Sequence, residues 1–206
     1  MNEFLLEGPE DAPRVLILTH GAGSPMDSAL LTRLSTSLAE LGTRVIRFEF
    51  PYMAARRTGG KRGMPDPQPI LLQRWKTVFA QFKDARPTFI GGHSMGGRMA
   101  SMVADQVSPS GVMCVSYPWH PPDNPHKTRV EHLLHLKTPC LMLCGTRDEF
   151  GSPEEVKGYT LAPSVKVHWL DGADHSIKGL ARSPRKTSHH IQDTIAAMDA
   201  FMRQHS

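Results

Sequence analysis

Short apolar runs alternate with amphipathic stretches along this sequence, and this alternation constrains the fold more than any other feature. Apolar runs rich in β-branched residues occupy 14–19, 111–116 and 165–170, among others, and turn-forming residues follow them. Between such runs, apolar residues recur at helical spacing, most clearly in the leucine-rich stretch 27–41. Strands that alternate with helices form βαβ units, in which helices cover both faces of a parallel sheet. We therefore predict a doubly wound, mostly parallel α/β sheet with six parallel strands.

Two further stretches carry more specific expectations about this sheet. Phe4–Leu6 is expected to add a seventh, antiparallel strand at one edge. In the strand predicted for 44–50, Arg47 and Glu49 alternate with apolar residues, which predicts a partly solvent-exposed face. The following segment, 51–69, contains several prolines and glycines and is predicted to be an irregular surface loop.

Length and composition limit the class of protein. The chain has 206 residues, which suits one domain over 1–206. It lacks a long apolar run for a membrane span, and its acidic N-terminal segment does not resemble a signal peptide. The three cysteines favour a reducing cytoplasmic location over a disulfide framework. The net charge of +4 is too small to indicate a nucleic-acid partner, although several basic residues cluster between Arg56 and Arg62.

The segment Gly92-His93-Ser94-Met95-Gly96 matches the G-x-S-x-G pattern of a nucleophile elbow. It follows a short predicted strand and opens a predicted helix, which is the context that this motif requires. The two glycines allow neighbouring backbone to pass close to a sharp strand-to-helix turn. Such a turn would expose the Ser94 hydroxyl at the carboxyl edge of the sheet, where α/β proteins place their ligands.

A serine hydroxyl is a weak nucleophile until a base removes its proton, so an acid and a histidine are expected after later strands. Asp148 follows the strand predicted at 140–144, and His175 follows the strand predicted at 165–170. The order Ser94, Asp148, His175 is that of α/β hydrolases. Glu149 remains an alternative acid, whereas Asp171 and Asp174 lie too close to His175 in sequence to be favoured.

An oxyanion hole needs two backbone N–H groups, and the sequence offers a candidate for each. Met95 follows the nucleophile at the start of a helix, where free N–H groups and the helix dipole favour negative charge. Ala22 lies in the His-Gly-Ala-Gly loop after the first parallel strand. His20 and His93 are expected to support the site through hydrogen bonds, because one base suffices.

These motifs resemble the α/β-hydrolase superfamily from Arg14 nearly to the C-terminus. The segments LTHGAGSPMDS, FPY, GGHSMGGRMAS, YPWHPP, GTRDEFGSPEE and GADHS resemble a small branch that is similar to dienelactone hydrolases. That branch includes bacterial proteins and animal relatives expressed in testis or found in chromatin complexes. Dienelactone hydrolases carry cysteine at the elbow, where this chain has Ser94, so their substrate is not carried over. The resemblance implies an α/β-hydrolase fold with a minimal lid.

The resulting expectation is a serine hydrolase that cleaves a carboxylic ester or thioester through an acyl-enzyme intermediate. A small-molecule acyl substrate is expected, and neither a metal nor an organic cofactor nor a membrane partner is implied. The acyl group, the leaving group, the oligomeric state and acyl transfer to an alcohol all stay open. The alternative is a non-catalytic binding or scaffold module on the same fold, and the basic residues Arg56–Arg62 are either a solvated loop or a contact for an acidic ligand.

Overall fold

Within the residues that the structure describes, seven strands form one sheet, in which six strands run parallel and the first runs antiparallel at an edge. The computed structural model describes residues 3–60 and 63–206. In chain order the strands are β1 Phe4–Glu7, β2 Val15–Thr19, β3 Arg44–Phe48, β4 Thr88–His93, β5 Gly111–Val115, β6 Cys140–Gly145 and β7 Val165–Leu170. Their order across the sheet is β1-β3-β2-β4-β5-β6-β7, and β1 pairs antiparallel with β3. The predicted mostly parallel sheet and its antiparallel edge strand are confirmed.

Helices connect the parallel strands and cover both faces of the sheet. They are α1 Ala29–Glu40, α2 Pro51–Arg57, α3 Gln68–Phe82, α4 Met95–Val107, α5 Pro153–Lys157 and α6 Thr187–Gln204. A short 3₁₀ helix at Glu131–Leu134 lies between β5 and β6. Within the described residues, no helix has both the length and the apolar character needed to cross a membrane.

The sheet separates two hydrophobic cores. One core packs α3 and α4 against one face, with Trp75 and Phe79 among its fully or nearly fully buried side chains. The other packs α1 and α6 against the opposite face and includes Leu34 and Met198. Because the central strands are buried on both faces, their sequences read as continuous apolar runs rather than as alternating patterns.

The order of the strands reverses beside β2, and this places a crevice at the carboxyl ends of β2 and β4. The chain leaves β2 toward β3 on one side and later enters β4 on the other side. The register pairs Thr19 at the end of β2 with Gly92 near the end of β4. Open α/β sheets bind their ligands at such a switch point. The loop after Thr19 and the turn after His93 therefore meet at one place.

The segment 51–69 departs from the predicted irregular loop, because its first seven residues form α2. Pro51 stands at the first helical position, where its fixed φ suits a helix and its missing N–H is not needed. Arg56 and Arg57 lie in the last turn of α2, and Lys61 and Arg62 fall outside the described residues.

The prediction of a partly solvent-exposed face for the strand at 44–50 is wrong. Arg47 and Glu49 are each only 4% exposed. Arg47 donates to the carbonyl oxygen of Met26, and Glu49 accepts two hydrogen bonds from Arg57. Buried charges of this kind are tolerated because they are paired and hydrogen-bonded. Alternation of charged and apolar residues here reflects internal ion pairs instead of contact with water.

Candidate active site

Ser94 lies at a strained turn between β4 and α4. Its φ is +51°, which is uncommon for a residue with a Cβ atom and costs on the order of 1–3 kcal/mol. The glycines on either side permit close backbone contacts. A Cβ on Gly92 would lie 2.5 Å from the carbonyl oxygen of Thr19, and one on Gly96 would lie 2.6 Å from that of His20. The predicted need for glycine at both positions thus has a structural cause.

The side chains of Ser94, His175 and Asp148 form a continuous hydrogen-bonded chain. The Oγ of Ser94 lies 2.9 Å from Nε2 of His175. Nδ1 of His175 lies 2.8 and 2.9 Å from the two carboxylate oxygens of Asp148. In this arrangement Nδ1–H donates to the carboxylate, which leaves Nε2 free to accept the serine proton. The three residues come from the ends of β4, β6 and β7 and meet at one edge of the sheet.

Asp148, and not the adjacent Glu149, contacts the histidine. Asp148 is 4% exposed, and the Phe150 N–H donates to its Oδ1 at 2.9 Å, whereas Glu149 faces solvent. Asp174, the other nearby acid, accepts backbone N–H groups of Ser176 and Lys178 instead. Among the acids that the sequence offers, Asp148 is therefore the one that forms hydrogen bonds with His175.

Ala22 and Met95 lie on the two segments that meet at the switch point. Met95 is the first residue of α4, and the side chain of Ser94 does not cap this helix. Neither the Ala22 nor the Met95 N–H donates to an acceptor in the part of the chain described. The arrangement brings the two predicted segments together and leaves both donors available for a negatively charged oxygen.

His20 anchors the loop that carries Ala22. Its ring is buried, and Nδ1 lies 2.7 Å from the carbonyl oxygen of Gly21, so Nδ1–H donates to that oxygen. Nε2 accepts the Phe50 N–H at 3.1 Å. Burial lowers the pKa of His20, which keeps the ring neutral and preserves both bonds. His20 thus ties the loop to the end of β3, in agreement with its predicted supporting role.

His93 links the elbow to the loop that carries His175. Its Nε2 lies 3.0 Å from the backbone carbonyl oxygen of His175, and the two rings are 5.3 Å apart between centroids. A carbonyl oxygen only accepts, so Nε2 carries the proton. Burial lowers the pKa of His93 to about 4, and the ring is neutral at pH 7.

Two aromatic residues contribute to the site without having been predicted. The phenol of Tyr52 donates to the Ala22 carbonyl oxygen at 2.9 Å, which gives the loop a second anchor. The ring of Phe150 stacks on that of His175, with centroids 4.1 Å apart. Each follows a predicted strand closely in sequence, which is the signal that could have identified it. The described residues contain no group of three or more His, Cys, Asp or Glu side chains arranged to hold a metal ion.

Several solved structures share this fold at low sequence identity. A serine hydrolase without a lid from Xanthomonas campestris is 18% identical with a TM-score of 0.72, over 98% of this chain and 88% of that one. Est1E from Butyrivibrio proteoclasticus, solved with ferulic acid bound, is 15% identical with a TM-score of 0.71, over 98% and 94%. Dienelactone hydrolase from Anabaena variabilis is 17% identical with a TM-score of 0.69, over 96% and 90%.

The family comparison covers nearly the whole chain. The sequence model of the alpha/beta hydrolase domain matches residues 12–203, a range that includes every strand from β2 to β7 and all six helices to within one residue. The chain therefore belongs to the alpha/beta hydrolase domain family.

Proposed function

We propose that this protein is a serine hydrolase that cleaves carboxylic esters or thioesters. The observation that carries the proposal is the hydrogen-bonded chain from Asp148 through His175 to Ser94, with its three links between 2.8 and 2.9 Å. Nucleophile, base and orienting acid in this geometry are the defining parts of a catalytic triad. The strained backbone of Ser94 supports the same role, because strain of this kind concentrates at functional sites.

Each residue has a distinct part in the proposed reaction. The Oγ of Ser94 attacks the carbonyl carbon while Nε2 of His175 takes its proton. Asp148 keeps the imidazole in the required tautomer and stabilises the imidazolium that forms. The N–H groups of Ala22 and Met95 stabilise the oxyanion of the tetrahedral intermediate.

The intermediate then collapses with loss of the leaving group. The C–O or C–S bond breaks, and His175 returns the proton to the leaving oxygen or sulfur. Water repeats the sequence on the acyl-enzyme and releases the acid and free Ser94. The proposal favours esters because an esterase domain and a dienelactone hydrolase are among the proteins with this fold.

A fluorophosphonate probe tests the nucleophile directly. We expect covalent labelling of the purified protein at Ser94 and loss of labelling in Ser94→Ala. Ser101→Ala is the matched control. Ser101 lies on the helix that follows Ser94, and its Oγ is also close to a histidine, 2.9 Å from Nε2 of His132. Ser101 is only 2% exposed, so the probe should not reach it. This control is expected to retain labelling. Equal labelling of wild type and Ser94→Ala would refute the proposal.

A panel of activated esters and thioesters with graded acyl lengths then tests the reaction. We expect turnover that Ser94→Ala reduces by roughly 10⁶-fold, to the background that other triad deletions leave. A flat profile near zero over the whole panel would instead favour the non-catalytic scaffold module.

A further inference from the structure

A largely apolar cavity of about 270 Å³ opens beside the triad. His93, which directly precedes Ser94, and Ser176, which directly follows His175, both line it. Leu30 of α1 and Ile191 of α6 line it as well. The cavity is therefore lined by the sequence neighbours of Ser94 and His175 and by residues of two helices, as a binding site for one arm of a substrate would be.

The cationic side chain of Lys178 is among the described residues that line this cavity. Among its described lining residues, only Lys178 carries a charge at pH 7, since His93 has a pKa of about 4. The nearby carboxylate of Asp174 accepts the backbone N–H groups of Ser176 and Lys178. The Lys178 ammonium group forms no ion pair with the described residues. An exposed cation at an apolar cavity offers a partner to an anion at the end of a hydrocarbon chain.

The start of α1 adds to this positive potential. Its first residue, Ala29, lines the cavity. The helix has no acidic residue in its first turn, and its N-cap Ser28 makes no side-chain capping bond. Thr187, the first residue of α6, also lines the cavity, but the Lys186 N–H already donates to Nδ1 of His189 in a capping box at the start of that helix. Helix N-termini attract anions through free N–H groups and the macrodipole. The start of α1 and Lys178 therefore point to the same ligand chemistry.

We propose that this cavity binds an arm of the substrate that consists of an apolar chain ending in a carboxylate, with Lys178 and the start of α1 at the carboxylate. The inference rests on the proposed ester hydrolysis and specifies its substrate class as anionic esters or thioesters, such as half-esters of dicarboxylic acids. The uncharged His93 is next to Ser94 in sequence, whereas the cation is on Lys178. We therefore expect the arm to lie with its ester bond near His93 and its carboxylate near Lys178.

The test compares esters that differ only in the terminal charge. One pair places the charge on the acyl arm: mono-4-nitrophenyl adipate against 4-nitrophenyl hexanoate. A second pair places it on the alcohol arm: the butyrate ester of 6-hydroxyhexanoate against hexyl butyrate. We expect kcat/KM to favour the anionic member of at least one pair by about fivefold, and added salt to reduce that ratio.

Variants of Lys178 connect the preference to the cavity. In Lys178→Met the ratio should fall to about one, and in Lys178→Glu it should invert. Lys166→Met is the matched control and should keep the wild-type ratio, because Lys166 is an exposed lysine near the opposite end of β7 from the site. Ratios near one for both pairs in the wild type, or a ratio that Lys178→Met leaves intact, would overturn the inference.

A binding measurement separates this inference from the proposed reaction. The Ser94→Ala variant is titrated calorimetrically with the unreactive amides adipic monoanilide and hexananilide. Tighter binding of the anionic amide, lost in the double variant with Lys178→Met, would support the cavity assignment even if no ester were turned over. Equal binding of the two amides would refute it while leaving ester hydrolysis through Ser94 unaffected.

Discussion

The Nε2–H of His93 donates to the backbone carbonyl oxygen of His175 across 3.0 Å. This bond joins the residue before Ser94 to the loop that carries His175. Because β4 and β7 are three strands apart in the sheet, the bond connects segments that the sheet itself does not hold together. If Ser94 and His175 act as proposed, we expect His93 to position the one relative to the other.

Replacement of His93 should lower kcat through this loss of positioning. His93→Phe retains an aromatic ring but removes the donor, and we expect kcat for a short neutral ester to fall by about 10-fold to 100-fold, since small misplacements of catalytic groups have effects of that size. The rate of labelling by a small fluorophosphonate should fall in parallel. His93→Gln, which keeps an N–H donor, should restore part of the rate. An unchanged rate in a folded His93→Phe variant would contradict the positioning role.

Asp148→Asn should reduce kcat by about 10⁴-fold, as the equivalent change does in serine-protease triads. The amide nitrogen of asparagine cannot accept a hydrogen bond from Nδ1–H of His175. The uncharged amide also stabilises the imidazolium less than the carboxylate does. Glu149→Gln is the matched control and should leave kcat near the wild-type value, because Glu149 is exposed and the carboxylate that His175 binds is that of Asp148. The reverse ranking of these two variants would make Glu149 the acid.

Gly96→Ala should destabilise the protein, because the new Cβ would meet the His20 carbonyl oxygen at 2.6 Å. Overpacking of this kind costs about 1–3 kcal/mol of the free energy of unfolding. Gly23→Ala is the control, since nothing lies within 4 Å of its added Cβ, and it should change that free energy by less than about 0.5 kcal/mol. Urea unfolding of both variants measures the difference; equal stability would show that the His20 segment moves freely.

The sequence predicts the parts of this site that depend on chain order and local turns. The elbow around Ser94 needs small neighbours, and the acid and base must follow later strand ends, so a single sequence contains both signals. The contacts of Tyr52 with Ala22 and of Phe150 with His175 depend on how separate loops pack, which residue periodicity does not encode. The prediction from periodicity was also wrong at Glu49. Charged residues that alternate with apolar ones indicate contact with solvent, unless an ion-pair partner elsewhere in the chain is known.

The partner of Glu49 gives a prediction about stability. Arg57 donates from Nε and a terminal nitrogen to the two carboxylate oxygens of Glu49, at 2.8 and 2.7 Å. Arg57→Met would leave the buried Glu49 carboxylate without its cation, and we expect the free energy of unfolding to fall by about 3 kcal/mol. Asp27→Asn, which disturbs the more exposed arm of the same arginine, should cost less than about 1 kcal/mol in the same urea experiment.

This pairing also bears on the basic residues between Arg56 and Arg62. A guanidinium that already binds Glu49 and Asp27 is engaged within the protein, so Arg57 is a structural residue in this arrangement. If Arg57→Met proved no less stable than Asp27→Asn, the arginine would be free to contact an acidic ligand instead.

The stability of the protein should decrease in acid through His132. Burial, assisted by the nearby Arg98, lowers the pKa of His132 from 6.5 to about 4. Between these pH values the unfolded chain binds a proton that the folded protein does not, so the free energy of unfolding falls as pH falls from 6.5 toward 4. After allowance for partial exposure, this one group should account for about 2 kcal/mol of that loss.

His132→Gln isolates this contribution, because glutamine can still donate to Ser101 but does not titrate. We expect urea unfolding at a series of pH values to give a shallower decline for this variant than for the wild type below pH 6.5. The exposed His126 provides the control, and His126→Gln should reproduce the wild-type decline. Identical slopes for His132→Gln and wild type would mean that His132 is protonated in the folded protein without penalty, with its ring turned out toward water.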